Sequence, residues 1–170
     1  MSTVLVSGAV RFLFDIYERL SADLGVAAQP HKLDYQRSVE SGTGTNQADL
    51  VWSDKRSVTA GVPDDIDLRG VIASALNSGI SFVKITGIVI RNKSTTSGQY
   101  LTVGNDGVAP FFAGLFGAST HTVQVNPDGA FGWYSPIDPA TTTAVTADIL
   151  QVVAATGTIE YEIEILGRTA

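Results

Sequence analysis

The sequence contains no cysteine, which excludes a disulfide framework, a thiolate nucleophile and a thiolate metal site. Charged residues are scarce too, at 16% of the chain, against about 25% in ordinary soluble domains. Only 11 residues are basic and the net charge is -6, so the clustered cations that would bind nucleic-acid phosphates are missing. Such a weakly charged surface suits a protein whose faces are covered by neighbouring molecules.

Residues 1–20 lack the features of a signal peptide and of a membrane span. They have no basic leading region, and charged side chains interrupt the apolar stretch from Arg11 to Arg19. We therefore expect a protein that is made in the cytoplasm and has neither a membrane nor a nucleic acid as its partner.

Short apolar segments separated by turn residues recur along most of the chain. Their spacing of about 8 to 12 residues is typical of antiparallel sheets. Gly87, inside the longest segment, indicates a β-bulge. The sequence therefore predicts an all-β fold, either a sandwich or a barrel, and of these we favour an antiparallel β-sandwich of jelly-roll type with an extended N-terminal arm. The predicted strands are residues 50–58, 66–68, 80–92, 100–103, 121–125, 130–134, 149–154 and 158–166.

The last predicted strand shows the clearest alternation of apolar and acidic residues. Three glutamates separate its large side chains, which predicts one buried face and one acidic face in water. The apolar members are Ile159, Tyr161, Ile163 and Ile165, and the acidic ones are Glu160, Glu162 and Glu164.

The N-terminal part of the chain is harder to interpret. Residues 10–20 fit both strand and helix spacing, and we favour a strand. Residues 21–47 contain glycine, proline and few large apolar side chains, which predicts a loop or extended arm with a short strand at 33–39. Residues 71–76 fit one or two helical turns. We therefore divide the chain into an N-terminal strand or arm, 1–45, and a β-sandwich domain, 46–170.

No arrangement in the sequence selects a catalytic or metal site. His31 and His121 have no nucleophile motif beside them, so we interpret both as surface residues and the protein as no enzyme. The nearby carboxylates Asp64, Asp65 and Asp67 do not have calcium-loop spacing, which favours a turn. We expect neither a metal nor a cofactor.

Aromatic residues are the remaining candidates for function. Large aromatic side chains occur in protein interfaces, in cores and on sugar-binding faces, and the sequence alone does not separate these roles. The candidate interface residues are Phe12, Phe14, Tyr17, Phe111, Phe112, Phe116 and Trp133.

Several ordered motifs between residues 42 and 167 resemble a family of small virion structural proteins of tailed bacteriophages. The resemblance implies a component of the phage particle and brings no catalytic residues. Its motifs are Gly42-Thr-Gly-Thr-Asn-Gln-Ala-Asp-Leu-Val-Trp-Ser-Asp54, Asp65-Ile-Asp-Leu-Arg-Gly70, Val89-Ile-Arg-Asn-Lys-Ser94, Val125-Asn-Pro-Asp-Gly129 and Tyr161-Glu-Ile-Glu-Ile-Leu-Gly167.

The first hypothesis is a capsid decoration, or cement, protein located in the virion. Its partners would be the major capsid protein lattice and its own copies, with a homotrimer matching a threefold joint. The alternative is a tail-associated or receptor-facing virion protein, which would contact tail proteins. The third hypothesis is a carbohydrate-binding module or a small hydrolase.

Overall fold

A computed structural model describes residues 7–22, 25–73, 79–104, 107–111 and 115–170. Every regular element in these ranges is a β-strand, so the prediction of an all-β fold is confirmed. None of these residues belongs to a helix that is long and apolar enough to cross a membrane. The strands are β1 (Gly8–Ala22), β2 (Gly25–Ser41), β3 (Gln47–Ala48), β4 (Leu50–Thr59), β5 (Asp64–Asp67), β6 (Lys84–Asn92), β7 (Leu101–Val103), β8 (Val123–Val125), β9 (Ala130–Tyr134), β10 (Ala140–Thr141), β11 (Ile149–Ala154) and β12 (Thr158–Arg168).

The largest sheet has five strands and is centred on the last strand of the chain. Its order is β10-β6-β12-β4, and β9 pairs with another part of β6. All these pairings are antiparallel. Because alternate residues of a strand point to opposite faces, β12 buries its apolar set and turns its glutamates outward, as the alternation predicts. The buried residues are Ile159, Tyr161, Ile163 and Ile165.

A second sheet of four strands, in the order β5-β11-β7-β8, supplies the other side of the core. Buried side chains of the two sheets form one hydrophobic cluster. Burial of large apolar side chains contributes about 1.5–3 kcal/mol each, so this cluster is the main source of stability. Fully buried examples are Trp52, Phe82, Phe111, Leu101, Leu150 and Tyr161.

A bulge interrupts the pairing of β6 with β12. The register shifts between the Leu166–Gly87 and Gly167–Ile85 pairs, which leaves Thr86 as the extra residue. Its Oγ1 donates a hydrogen bond to the carbonyl oxygen of Leu166, at 3.1 Å. The prediction of a bulge at Gly87 is therefore confirmed.

The third sheet consists of a long hairpin and one short strand. Every residue from Gly8 to Ala22 of β1 has a partner in β2, between Gly8↔Val39 and Ala22↔Gly25. At roughly 3.3 Å per residue, such a strand extends for roughly 50 Å. The last residues of β2 pair in parallel with β3, which connects the hairpin to the rest of the protein. We call the β1–β2 hairpin the ribbon.

The ribbon corrects the prediction for residues 21–47. Residues 33–39 are strand as predicted, but the strand is much longer, since residues 25–41 form β2. Among the described residues of the segment, only 42–46 are a loop. The segment lacks the usual strand pattern because most of its side chains are exposed and need not be apolar. Its strand structure depends on pairing with β1, which settles residues 10–20 as strand rather than helix.

Two further predictions differ from the structure near residue 80. The strand predicted from residue 80 begins at Lys84, because the N–H groups of Ile80 and Phe82 bond to the carbonyl oxygens of Ile72 and Leu68, outside the larger sheet. Ile72 forms an antiparallel bridge with Ile80, so residues 71–73 are extended and not helical. The rest of the predicted helical turns, 74–76, lies outside the described residues.

Candidate interaction surface

One face of the ribbon presents a row of apolar cross-strand pairs to solvent. The row runs from Phe12–Tyr35 through Phe14–Leu33 to Ile16–His31. Phe14 is 65% exposed, Leu33 is 59% exposed and Ile16 is 57% exposed. Contiguous exposed apolar surface of this kind marks interaction sites in soluble proteins. We call this side of the ribbon its apolar face.

The base of the apolar face is covered by the chain's own larger sheet. Val10 and Val39 pack in a small cluster with Tyr134 and Leu166. The ring of Phe12 also reaches the larger sheet, where it lies against Gly132 of β9.

Beyond Phe12, the side chains described on the apolar face, within residues 13–19 and 28–34, are exposed. We call residues 13–19 and 28–34, which follow the Phe12–Tyr35 pair, the overhang. The apolar side of the overhang is therefore the part of the apolar face that remains open to a partner.

The opposite face of the ribbon is mainly polar. The guanidinium of Arg11 donates two hydrogen bonds to the Asp34 carboxylate, both at 2.9 Å. Lys32 Nζ lies 3.6 Å from the same carboxylate. The hydrogen bond from Arg11 holds the pKa of Asp34 below its ordinary value, and the same bond raises the pKa of Arg11. This face thus combines charged groups with the exposed side chains of Leu13 and Tyr17, whereas the apolar face carries the continuous apolar row.

A cleft of about 200 Å³ separates the base of the ribbon from the larger sheet. Apolar side chains form most of its wall, among them Val51, Val89 and Trp133. The carboxylate-bearing Glu164 lies at the same cleft. The cleft is therefore an apolar contact surface beside one acidic group.

The most strongly perturbed ionisable groups lie elsewhere, where β4, β5 and β12 meet. Arg56 donates to both oxygens of the Asp64 carboxylate, at 2.7 and 2.6 Å. The hydroxyl of Tyr161 donates to Asp64 Oδ2 at 2.7 Å. Burial, followed by the bond to Asp64, raises the pKa of Tyr161. Burial alone would raise the pKa of Asp64, but the bonds from Arg56 and Tyr161 outweigh it and lower that pKa.

This network joins strands of the two core sheets. Asp64 belongs to β5 in the four-stranded sheet, while Arg56 and Tyr161 belong to β4 and β12 in the other. The bond to Asp64 raises the pKa of Arg56, so the guanidinium stays charged. The arrangement is that of a structural ion pair between sheets.

The remaining carboxylates of the Asp64–Asp67 segment serve local structure. Asp65 accepts a hydrogen bond from the Gln151 side chain at 2.9 Å. Asp67 accepts from the backbone N–H groups of Arg69 and Gly70, which closes a turn. The prediction of a turn is wrong for Asp64 and Asp65, which lie in strand β5 and pair with β11. Among the described residues, no group of three or more histidine and acidic side chains is placed to hold a metal ion.

The two histidines lie in different surroundings. His31 is exposed on the overhang, with Nε2 at 3.4 Å from Glu18. His121 is hydrogen-bonded through Nδ1 to the carbonyl oxygen of Phe116, at 2.7 Å. The structure therefore does not bring them together.

The predicted interface residues fall into separate groups. Phe12, Phe14 and Tyr17 all lie on β1 of the ribbon, where Phe14 and Tyr17 are well exposed. Phe111 and Phe116 are buried in the core, so they offer no surface in the single chain. The other two are Trp133, which is half-buried at the cleft, and Phe112, which lies outside the described residues.

Sequence reasoning missed the β2 half of the apolar face. Leu33 and Tyr35 lie opposite Phe14 and Phe12 in the ribbon. Both lie in the strand predicted at residues 33–39, but the sequence did not indicate that they belong to an exposed apolar surface. The hairpin register that places them beside the phenylalanines is a tertiary property.

Comparison with known protein families and with curated proteins finds no match to this chain.

Proposed function

We propose that this chain is a non-enzymatic structural component of a tailed-phage virion, a decoration protein that binds the major capsid protein lattice. In this proposal the two core sheets form a β-sandwich of jelly-roll type, and the ribbon is the assembly arm. The protein would be made in the host cytoplasm and would function in the particle.

The exposed overhang is the observation that carries the proposal. Phe14, Ile16 and Leu33 lie side by side on one face, and each is more than half exposed. Removing apolar surface from water contributes roughly 25 cal/mol per Å², so a partner that covers these side chains gains binding free energy. A structural subunit needs such a face, whereas a freely soluble monomer rarely keeps one.

Two further properties support an assembly role. The chain has few charges for its size, which suits a surface that neighbours cover. The sequence between residues 42 and 167 also resembles small virion proteins of tailed phages, which suggests a shell as the setting.

The test is to add the purified protein to phage shells that lack it and to image them by cryo-electron microscopy. We expect ordered density over the shell lattice. A second sample carries the substitutions Phe14→Ser, Ile16→Ser and Leu33→Ser on the apolar face. This sample should leave the shells bare, because it removes the surface that the proposal assigns to assembly.

The matched control is Ile137→Ser, since Ile137 is 76% exposed but lies outside the ribbon. It should decorate shells like the unchanged protein. Density only at the tail, or none with any sample, would contradict the decoration proposal. Equal decoration by the triple variant would contradict the role of the overhang.

A further inference from the structure

β1 is the edge strand of its sheet. In the order β1-β2-β3 it has β2 on one side, and the described residues place no strand on the other. Edge strands present free backbone N–H and C=O groups, and natural proteins blunt long edges with proline, bulges or cover. β1 contains no proline along its 15 residues. It is therefore ready to pair with another strand.

Pro30 of β2 shows which groups of β1 point outward. Proline has no N–H, so within a sheet it lies where that position faces away from the neighbouring strand. Pro30 pairs with Tyr17, so the two residues form a non-hydrogen-bonded pair. The backbone N–H and C=O groups of Tyr17 therefore point away from β2. Antiparallel pairs alternate between bonded and non-bonded. The odd-numbered residues of β1 therefore direct their N–H and C=O groups to the free edge.

The charges of β1 complement themselves in one antiparallel register. If two copies pair with Leu13 opposite Leu13, Arg11 of each copy lies opposite Asp15 of the other. Opposite charges in such positions stabilise a strand pair, and like charges destabilise it. A register centred on Asp15 would instead oppose Asp15 to itself and Arg11 to Arg19.

The same register matches the apolar faces. Phe12 lies opposite Phe14 of the second copy, and Val10 lies opposite Ile16. Val10 and Phe12 are the residues that contact the larger sheet of their own chain. The exposed Phe14 and Ile16 of one copy would then lie beside the covered base of the other.

A register centred on Tyr17 also pairs opposite charges but is less favourable. It brings Asp15 opposite Arg19, yet it places the apolar Ile16 opposite Glu18. The apolar match therefore selects the register centred on Leu13.

We propose that two copies of this chain pair antiparallel through their β1 edges, with a two-fold axis at Leu13, and so form a continuous four-stranded ribbon. Each copy contributes residues 8–18, and their odd-numbered members exchange backbone hydrogen bonds. The inference rests on the proposed function only in treating the ribbon as an assembly surface. The partner at the β1 edge is a second copy of this chain.

The absence of cysteine gives a direct test by single-cysteine cross-linking. Hydrogen-bonded antiparallel partners have Cα atoms about 5.5 Å apart, within the range of about 4.4–6.8 Å that a disulfide spans. Leu13→Cys should therefore become a covalent dimer under mild oxidation. Tyr17→Cys is the matched control, because two copies of residue 17 would lie roughly 27 Å apart at about 3.4 Å per residue. It should remain a single chain on a non-reducing gel.

Sedimentation of the unchanged protein gives the second readout. We expect a dimer that dissociates on dilution, and a dissociation constant at least tenfold higher for Leu13→Pro, which removes one outward N–H per copy. Circular dichroism shows whether that variant keeps its fold. A monomer at every concentration, a trimer, or cross-linking of Tyr17→Cys in place of Leu13→Cys would overturn the inference.

The result is distinguishable from that of the shell experiment. A dimer in solution that leaves shells bare would support the pairing and contradict the decoration role. A monomer that decorates shells would do the reverse.

Discussion

Asp64 is an acidic residue whose pKa makes stability depend on pH. Its carboxylate accepts hydrogen bonds from Arg56 and Tyr161, and its pKa lies below the ordinary value. The folded state thus binds fewer protons than the unfolded state near pH 4. The resulting stabilisation is present above the unfolded pKa of about 3.9 and is lost as the pH falls through the folded pKa.

We therefore expect Asp64→Asn to lower the free energy of unfolding at pH 7 by about 1–3 kcal/mol, the usual cost of breaking a buried charged hydrogen bond. The difference from the unchanged protein should shrink between pH 5 and pH 3. Urea unfolding at each pH measures it. Asp138→Asn, at an exposed position, is the control and should change stability little at any pH. A difference that is constant with pH would contradict the linkage.

Gly167 lies at the bulge where β12 passes closest to β6. A Cβ atom at this position would lie 2.5 Å from Phe82 Cδ1 and would also collide with the Lys84 carbonyl oxygen. Because the backbone oxygen cannot move aside easily, Gly167→Ala should destabilise the protein by about 1–3 kcal/mol or more, as overpacking does. Thermal unfolding measures the loss. Gly8→Ala is the matched control, because nothing lies within 4 Å of its added Cβ. Equal melting temperatures for the two variants would contradict this view of the bulge.

At the scale of elements, the sequence predicts the strands that have one buried face. β9 and β11 have the predicted bounds, and β12 extends the predicted strand by two residues. Large apolar residues mark these strands, and in β12 they alternate with glutamates because one face of the strand lies in the core. The core imposes no such pattern on β2, so only residues 33–39 of it were predicted as strand, and the rest of its strand structure follows from pairing with β1.

The sequence predicted only some of the residues of the candidate surface correctly. Phe14 and Tyr17 lie exposed on the ribbon, whereas Phe111 and Phe116 are in the core. An aromatic ring is equally apolar in both places, so residue type does not decide between core and interface. Only the fold shows which rings remain in contact with solvent.

The ribbon and the core can be separated by shortening the hairpin. Deleting residues 13–34 and joining Phe12 to Tyr35 through Asn-Gly keeps the contacts at the base and supplies a favoured hairpin turn. The main hydrophobic cluster contains no residue of the ribbon. We therefore expect cooperative unfolding within about 4 °C of the full-length protein, since 1 kcal/mol corresponds to about 2–4 °C at this size. Differential scanning calorimetry tests this, and loss of the cooperative transition would show that the core depends on the overhang.

Across the whole molecule, the larger sheet is built from distant parts of the chain. Thr59 pairs with Thr158, and Leu50 with Gly167. Pairing between residues so far apart requires the closure of long loops before the contacts form, so all-β domains of this kind fold in milliseconds to seconds. The central strand is also the last one in the sequence. The sheet therefore cannot be completed until β12 is present.

This order of strands predicts that a chain ending at Gly157 does not fold and that a peptide of residues 158–170 restores it. Without β12, strands β4 and β6 lose the partner that lies between them, and the core loses the buried side chains of Ile159 to Ile165. We expect the shortened chain to lack the near-ultraviolet circular dichroism of the intact protein. Adding the peptide should restore that signal, because it supplies both edges of the missing strand. The matched peptide with Ile163→Glu should fail, since it places a carboxylate in the core. Cooperative unfolding of the shortened chain alone would show that the other strands close the sheet without β12.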